Sequence, residues 1–128
     1  MTQKANYIGG AWVEGPDAIE NLNPADPADV IGLYASADQA QMRQAVQAAR
    51  DAAPAWERSS TQLRSDILFR AANEILARKE ELGALVSREA GKTLADGVGE
   101  VMRAGQVFQF FAGEAVRYGG ENLPSVRP

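Results

Sequence analysis

The stretch from about Leu94 to Tyr118, "LADGVGEVMRAGQVFQFFAGEAVRY", sets the narrowest limits on what this chain can become. Its second half, "AGQVFQFFAGEAV", is apolar around nearly every face of a helix. Such a helix has to be covered on several sides rather than along one stripe. The same helix carries Gly97, Gly99, Gly105 and Gly113. Each interior glycine costs roughly 1 kcal/mol against alanine, so the set costs about 4 kcal/mol. A helix with that handicap is held by packing, and the glycines predict that other backbone comes close to it.

The rest of the chain reads as a short β region followed by shorter helices. "YIGGAWV" places Tyr7-Ile8 and Ala11-Trp12-Val13 on either side of Gly9-Gly10. Two strand-forming runs across two glycines predict a tight hairpin, because primed turns need positive φ. Ile19 to Pro24 and Val30 to Ser36 are further extended runs, with "NPADPAD" as a turn between them. A small antiparallel sheet over residues 1–36 is expected. The first helix starts near Ser36 or Asp38 and runs to about Ala53, where Pro54 ends it. Its inner stripe is Ala45, Val46, Ala49 and Ala52, with Trp56 filling a gap beside it. The second starts at Ser59 or Ser60 and buries Leu63, Ile67, Leu68, Ala71, Ile75 and Leu76. A third, shorter helix puts Leu82, Leu85 and Val86 inside and stops at Gly91, a natural left-handed terminator. Phe108, Phe110 and Phe111 are expected in the core. The fold class is therefore mainly α with a small N-terminal sheet: helices over 37–118, then an extended stretch over 119–128.

"REAGKTLADGVGEV" contains fragments of two nucleotide motifs, Gly91-Lys92-Thr93 and Gly97-Val98-Gly99. A phosphate-binding loop would need its first glycine at position 86, which is Val86, and a preceding strand rather than a charged amphipathic segment. A dinucleotide fingerprint would need its third glycine at position 102, which is Met102. Neither motif is complete. Lys92 reads as a helix-end cation.

Composition removes further classes. The chain has 128 residues, a net charge of −4 and no Lys/Arg cluster, which argues against a nucleic-acid partner. It contains no cysteine and no histidine, so it offers no thiolate nucleophile and no imidazole base or ligand. The apolar run Val107 to Val116 is interrupted by Gln109, Gly113 and Glu114 and is too short for a bilayer. With no run of signal-peptide length at the start, a cytosolic protein without a membrane partner is the default.

Read in order, "YIGGAWV", "NLNPADPADVIG", "AVQAARDAAPAW", "RSDILFRAANEILARKEELGALVSREAGKTLADGVGEV" and "FFAGEAVRYGGENLPSVRP" resemble the N-terminal part of the NAD(P)-dependent aldehyde dehydrogenase superfamily, over nearly the whole chain. The "EAGK" turn, "FFAGEA" and "GENLPS" carry most of the likeness. The resemblance implies the N-terminal part of that family's α/β fold, with helices 37–118 beside the cofactor-binding domain and 119–128 leading into an oligomerisation arm. It implies oxidation of an aldehyde, such as a semialdehyde, to a carboxylic acid with NAD or NADP in the complete enzyme. A cysteine thiolate, a glutamate-activated water and an oxyanion-holding asparagine do that chemistry. All three belong to later family segments, so this chain alone is expected to be inactive. Its expected partners are the remainder of the enzyme chain and further copies in a homo-oligomer. The resemblance also places a monovalent cation at Asn21, Leu22 and Glu89, where Glu89 is otherwise a surface carboxylate and Asn21 a turn residue. It sets Gly99 and Arg103 toward the aldehyde entrance, where Arg103 attracts an acidic aldehyde or, alternatively, pairs with Glu100 three residues back. A stand-alone helical binding or regulatory module without catalysis is the competing reading.

Overall fold

The computed structural model describes residues 3–120. Strands β1 (Gln3–Lys4), β2 (Asn6–Ile8), β3 (Ala11–Val13), β4 (Asp17–Asn23) and β5 (Asp26–Ser36) precede four helices. These are α1 (Gln39–Glu57), α2 (Thr61–Ala77), α3 (Lys79–Ala90) and α4 (Leu94–Arg117). The expected hairpin forms as β2 and β3, with Tyr7 opposite Trp12 and Ile8 opposite Ala11. Gly9 and Gly10 have φ of 60° and 86°, the backbone such a two-residue turn demands. β4 and β5 form a second hairpin closed through Asn23 and Asp26, so the "NPADPAD" stretch is partly strand. The β region is not wholly antiparallel: β1 returns to pair parallel with β5, giving a three-stranded sheet in the order β1-β5-β4 beside the separate hairpin.

Asp38 caps α1, accepting the Gln41 amide, and Ser60 caps α2, accepting the Leu63 amide. Pro54 does not end α1 but lies within it. Its ring removes one N–H donor at a φ already suited to a helix. The Arg58 amide then donates to the Pro54 carbonyl at 3.4 Å and closes the last turn.

The expected inner stripe of α1 is largely uncovered: Val46 is 50% exposed, Ala49 and Ala52 are exposed, and so is Trp56. What holds α1 is polar. Gln41 is buried, accepts the Asn6 side-chain amide at 2.9 Å and donates to the Glu14 carbonyl at 2.8 Å. Ala48 packs beneath the hairpin turn at Gly9.

The core lies where α4 crosses α2 and α3, and small residues make it. Ala72, Val101, Ala112, Gly83, Gly97 and Gly105 are buried there. The close backbone approach expected of the α4 glycines is real at Gly97, whereas Gly105 is approached by a side chain. A Cβ on Gly97 would lie 2.3 Å from the Gly83 carbonyl, and one on Gly105 would lie 2.6 Å from Leu76 Cδ2. Gly99 and Gly113 have nothing within 4 Å. The phenylalanines are not core: Phe110 and Phe111 are 59% and 55% exposed and stack edge to face at 5.3 Å. Helices α2 and α3 cover only one side of α4, and these rings project from the other. No helix among the described residues is long and apolar enough to cross a membrane. The extended arm expected over 119–128 lies, from residue 121 onward, outside the described residues.

Candidate functional site

Two clusters of chemically able groups meet near the turn between α3 and α4. Gly91 ends α3 at φ 63°. The Lys92 amide donates to the Ser87 carbonyl at 3.0 Å, closing a Schellman-type turn. The Ser87 hydroxyl lies 2.9 Å from the carbonyls of both Gly83 and Thr93 and shares its one hydrogen between them, tying the end of α3 to the start of α4. The Thr93 side chain then caps α4, accepting the Asp96 amide at 3.2 Å and donating to the Asp96 carboxylate at 2.7 Å.

The first cluster joins this turn to the sheet. Gly91 sits so close to Pro24 that a Cβ would be 2.9 Å from its ring. That contact brings the last turn of α3 over β4. The Asn21 side-chain amide donates to Glu89 Oε1 at 2.8 Å, so the structure brings together the sequence-predicted pair Asn21 and Glu89. Pairing of β4 with β5 is irregular on both sides of Leu22: Asn21 faces Gly32, Leu22 faces Val30 and Asn23 faces Asp26. Such irregularity takes backbone groups out of the regular ladder. Beside it, Arg88 grips Asp29 through two bonds of 2.5 and 2.9 Å, and Asn23 adds a third at 3.1 Å. The Arg88 bonds, with help from Asn23, hold the Asp29 carboxyl down to about 2. Asp29 in turn raises Arg88 above its ordinary range. Arg88 and Asp29 are 59 residues apart, and no local spacing rule could have paired them.

The second cluster is the N-terminal half of α4. Lys92, Ala95, Asp96, Gly99, Glu100 and Arg103 line an open groove of about 450 Å³. Arg103 also borders a neighbouring hollow of about 380 Å³ with Gln106, Val107, Phe110 and Phe111. Both predicted entrance residues, Gly99 and Arg103, are therefore exposed on one groove. The alternative pairing of Arg103 with Glu100 does not form. Glu100 is taken by the Lys92 ammonium at 2.5 Å, a pair eight residues apart that helical spacing does not foresee. Arg103 has no carboxylate partner among the described residues. Chemically, this is a guanidinium free to bind an anion at the mouth of a partly apolar groove.

Residues 12–128 match the model of the aldehyde dehydrogenase family. The chain is 34% identical over 122 residues to an alpha-ketoglutaric semialdehyde dehydrogenase of Bacillus subtilis, covering 94% of this chain and 25% of that one. It is 34% identical over 124 residues to a glutarate-semialdehyde dehydrogenase of Pseudomonas putida, covering 95% and 26%. Among solved structures, an NAD-dependent aldehyde dehydrogenase from Sinorhizobium meliloti superposes with a TM-score of 0.88 at 32% identity, over 94% of this chain and 25% of that chain. This chain thus spans about a quarter of the length of the relatives it matches.

Proposed function

Because the chain belongs to the aldehyde dehydrogenase family, as an N-terminal portion of it, we propose that it serves a complete NAD(P)-dependent enzyme that oxidises a carboxylate-bearing aldehyde, a semialdehyde, to the corresponding acid. The observation that carries this reading is Arg103, a guanidinium without a carboxylate partner among the described residues, on a groove it shares with Gly99. The two Bacillus and Pseudomonas relatives are named for semialdehydes whose far end is a carboxylate. In this reading Arg103 binds that carboxylate and orients the aldehyde. Gly99, with open space where a side chain would be, leaves room for the substrate's carbon chain.

The dinucleotide does not fit this segment. Gly91 terminates a helix, and Gly97 and Gly99 lie inside one, so no strand-to-helix turn is present at these glycines to cradle phosphate. NAD or NADP, which accepts the hydride, therefore belongs to the remainder of the chain, as do the thiolate and the activating carboxylate. A segment with no cysteine is inactive alone.

A monovalent cation does suit the β4 corner. Backbone oxygens of Asn21 and Leu22 stand at the irregularity, and Asn21 holds the Glu89 carboxylate there through one oxygen. Carbonyl and carboxylate oxygens are the donors a hard cation takes. Such an ion would fasten the β4–β5 hairpin to the end of α3.

The test compares a semialdehyde with a neutral aldehyde of equal length in the complete enzyme. Arg103→Gln should lower kcat/KM for the acidic substrate about tenfold, the size of a lost charge-assisted hydrogen bond, and leave the neutral substrate unaffected. An equal loss on both substrates, or none on either, refutes the reading.

A further inference from the structure

We infer that Lys92 is a positioning residue for acidic substrates: by holding Glu100, it keeps Arg103 free. The inference rests on the reading that Arg103 meets the substrate carboxylate. On a helix, residues three apart are neighbours, and a carboxylate at 100 with a guanidinium at 103 ordinarily pair. That pair would occupy the guanidinium and place a negative charge beside the incoming carboxylate. The structure diverts Glu100 instead. Its Oε1 accepts from Lys92 Nζ at 2.5 Å.

Lys92 is suited to the task because its own position is fixed from both sides. It follows the left-handed Gly91, its amide is bonded to the Ser87 carbonyl, and the next residue, Thr93, is pinned through its carbonyl by the Ser87 hydroxyl. Its side chain is the more enclosed partner, 29% exposed against 57% for Glu100. A lysine rooted in a closed turn reaches along the first two turns of α4 and neutralises Glu100. The other carboxylate in the groove, Asp96, bonds the Thr93 hydroxyl. It lies seven residues before Arg103, about 10 Å along the axis. The groove thus keeps both its acids engaged and leaves Arg103 without a carboxylate partner among the described residues.

In the complete enzyme, Lys92→Met should raise KM for a semialdehyde roughly two- to threefold, the strength of a three-residue helical ion pair newly formed at Arg103, with kcat and the neutral aldehyde unaffected. Lys92→Arg, which keeps the cation, should behave as the wild type. Adding Glu100→Gln to Lys92→Met should restore KM, since the released acid is gone. In an Arg103→Gln background, Lys92→Met should have no effect on KM. If Lys92→Met leaves the semialdehyde KM unchanged while Arg103→Gln raises it, the role of Lys92 is refuted and that of Arg103 stands. If Lys92→Met impairs both substrates alike, or Glu100→Gln fails to rescue it, Lys92 is merely structural and the inference falls. If Arg103→Gln leaves the preference for acidic substrates intact, the reading beneath it fails and takes the inference with it.

Discussion

Replacing single glycines of α4 by alanine separates close helix contact from mere tolerance of a poor helix former. At Gly97 a new Cβ would meet the Gly83 carbonyl at 2.3 Å and Ser87 Oγ at 2.2 Å. The serine can rotate, at the loss of its bonds to Gly83 and Thr93. The carbonyl cannot, because it belongs to the backbone of α3. Overpacking of this kind costs about 1–3 kcal/mol, and a backbone obstacle argues for the upper end. Helix propensity returns about 1 kcal/mol, so Gly97→Ala should be destabilising by about 2 kcal/mol. At Gly99 nothing lies within 4 Å, and the same change should stabilise α4 by up to ~1 kcal/mol. Hydrogen exchange of the α3 and α4 amides in the complete enzyme reads both. Where exchange follows local opening, Gly97→Ala should speed it about 30-fold and Gly99→Ala should slow it about fivefold. Effects of the same sign, or unchanged protection in Gly97→Ala, would refute the claim that α3 and α4 touch through their backbones.

Three further outcomes are expected. The purified 128-residue chain should show no NAD(P)-dependent aldehyde oxidation by absorbance at the reduced-nicotinamide band, and turnover above a no-protein control would overturn that. Asp29 has its carboxyl held at about 2 against an ordinary 3.8, so its bond to Arg88 stabilises the fold above the ordinary value and is lost as pH falls toward 2. Asp29→Asn should therefore lower the thermal midpoint by a constant amount from pH 7 to about 5, a gap that narrows on further acidification; a gap that widens toward acid contradicts the assignment. Glu89→Gln should weaken any stabilisation of the complete enzyme by potassium or sodium over a bulky organic cation, and an unchanged cation response would remove Glu89 from that site.

Much of the local structure was legible because it is written in neighbouring residues. The Gly9-Gly10 turn, the caps at Asp38 and Ser60 and the Gly91 terminator each follow from a backbone requirement within a few positions. Pro54 misleads because the rule against interior proline concerns one missing donor and one clash, which a helix with one turn left to run can absorb. The phenylalanines mislead for another reason: apolar character predicts that a side chain wants cover, not that cover lies within the same stretch of chain. The parallel return of β1 and the Arg88–Asp29 grip join distant residues without a periodic signal. At the groove, helical spacing points to an Arg103–Glu100 pair that does not form, and the actual partner of Glu100 was not foreseen. Helical spacing compares only residues on the same helix, and Lys92 precedes it.

The small-residue crossing of α2, α3 and α4 has a consequence for biosynthesis. Relatives of this chain are about four times as long, and this is an N-terminal portion, so the ribosome releases it early. Glycine-lined helix contacts give a nascent segment a shape but little greasy bulk of its own to bury. While such a segment stands alone, Phe110, Phe111 and Val46 face the surrounding water, a greasy patch through which a nascent chain sticks to its neighbours.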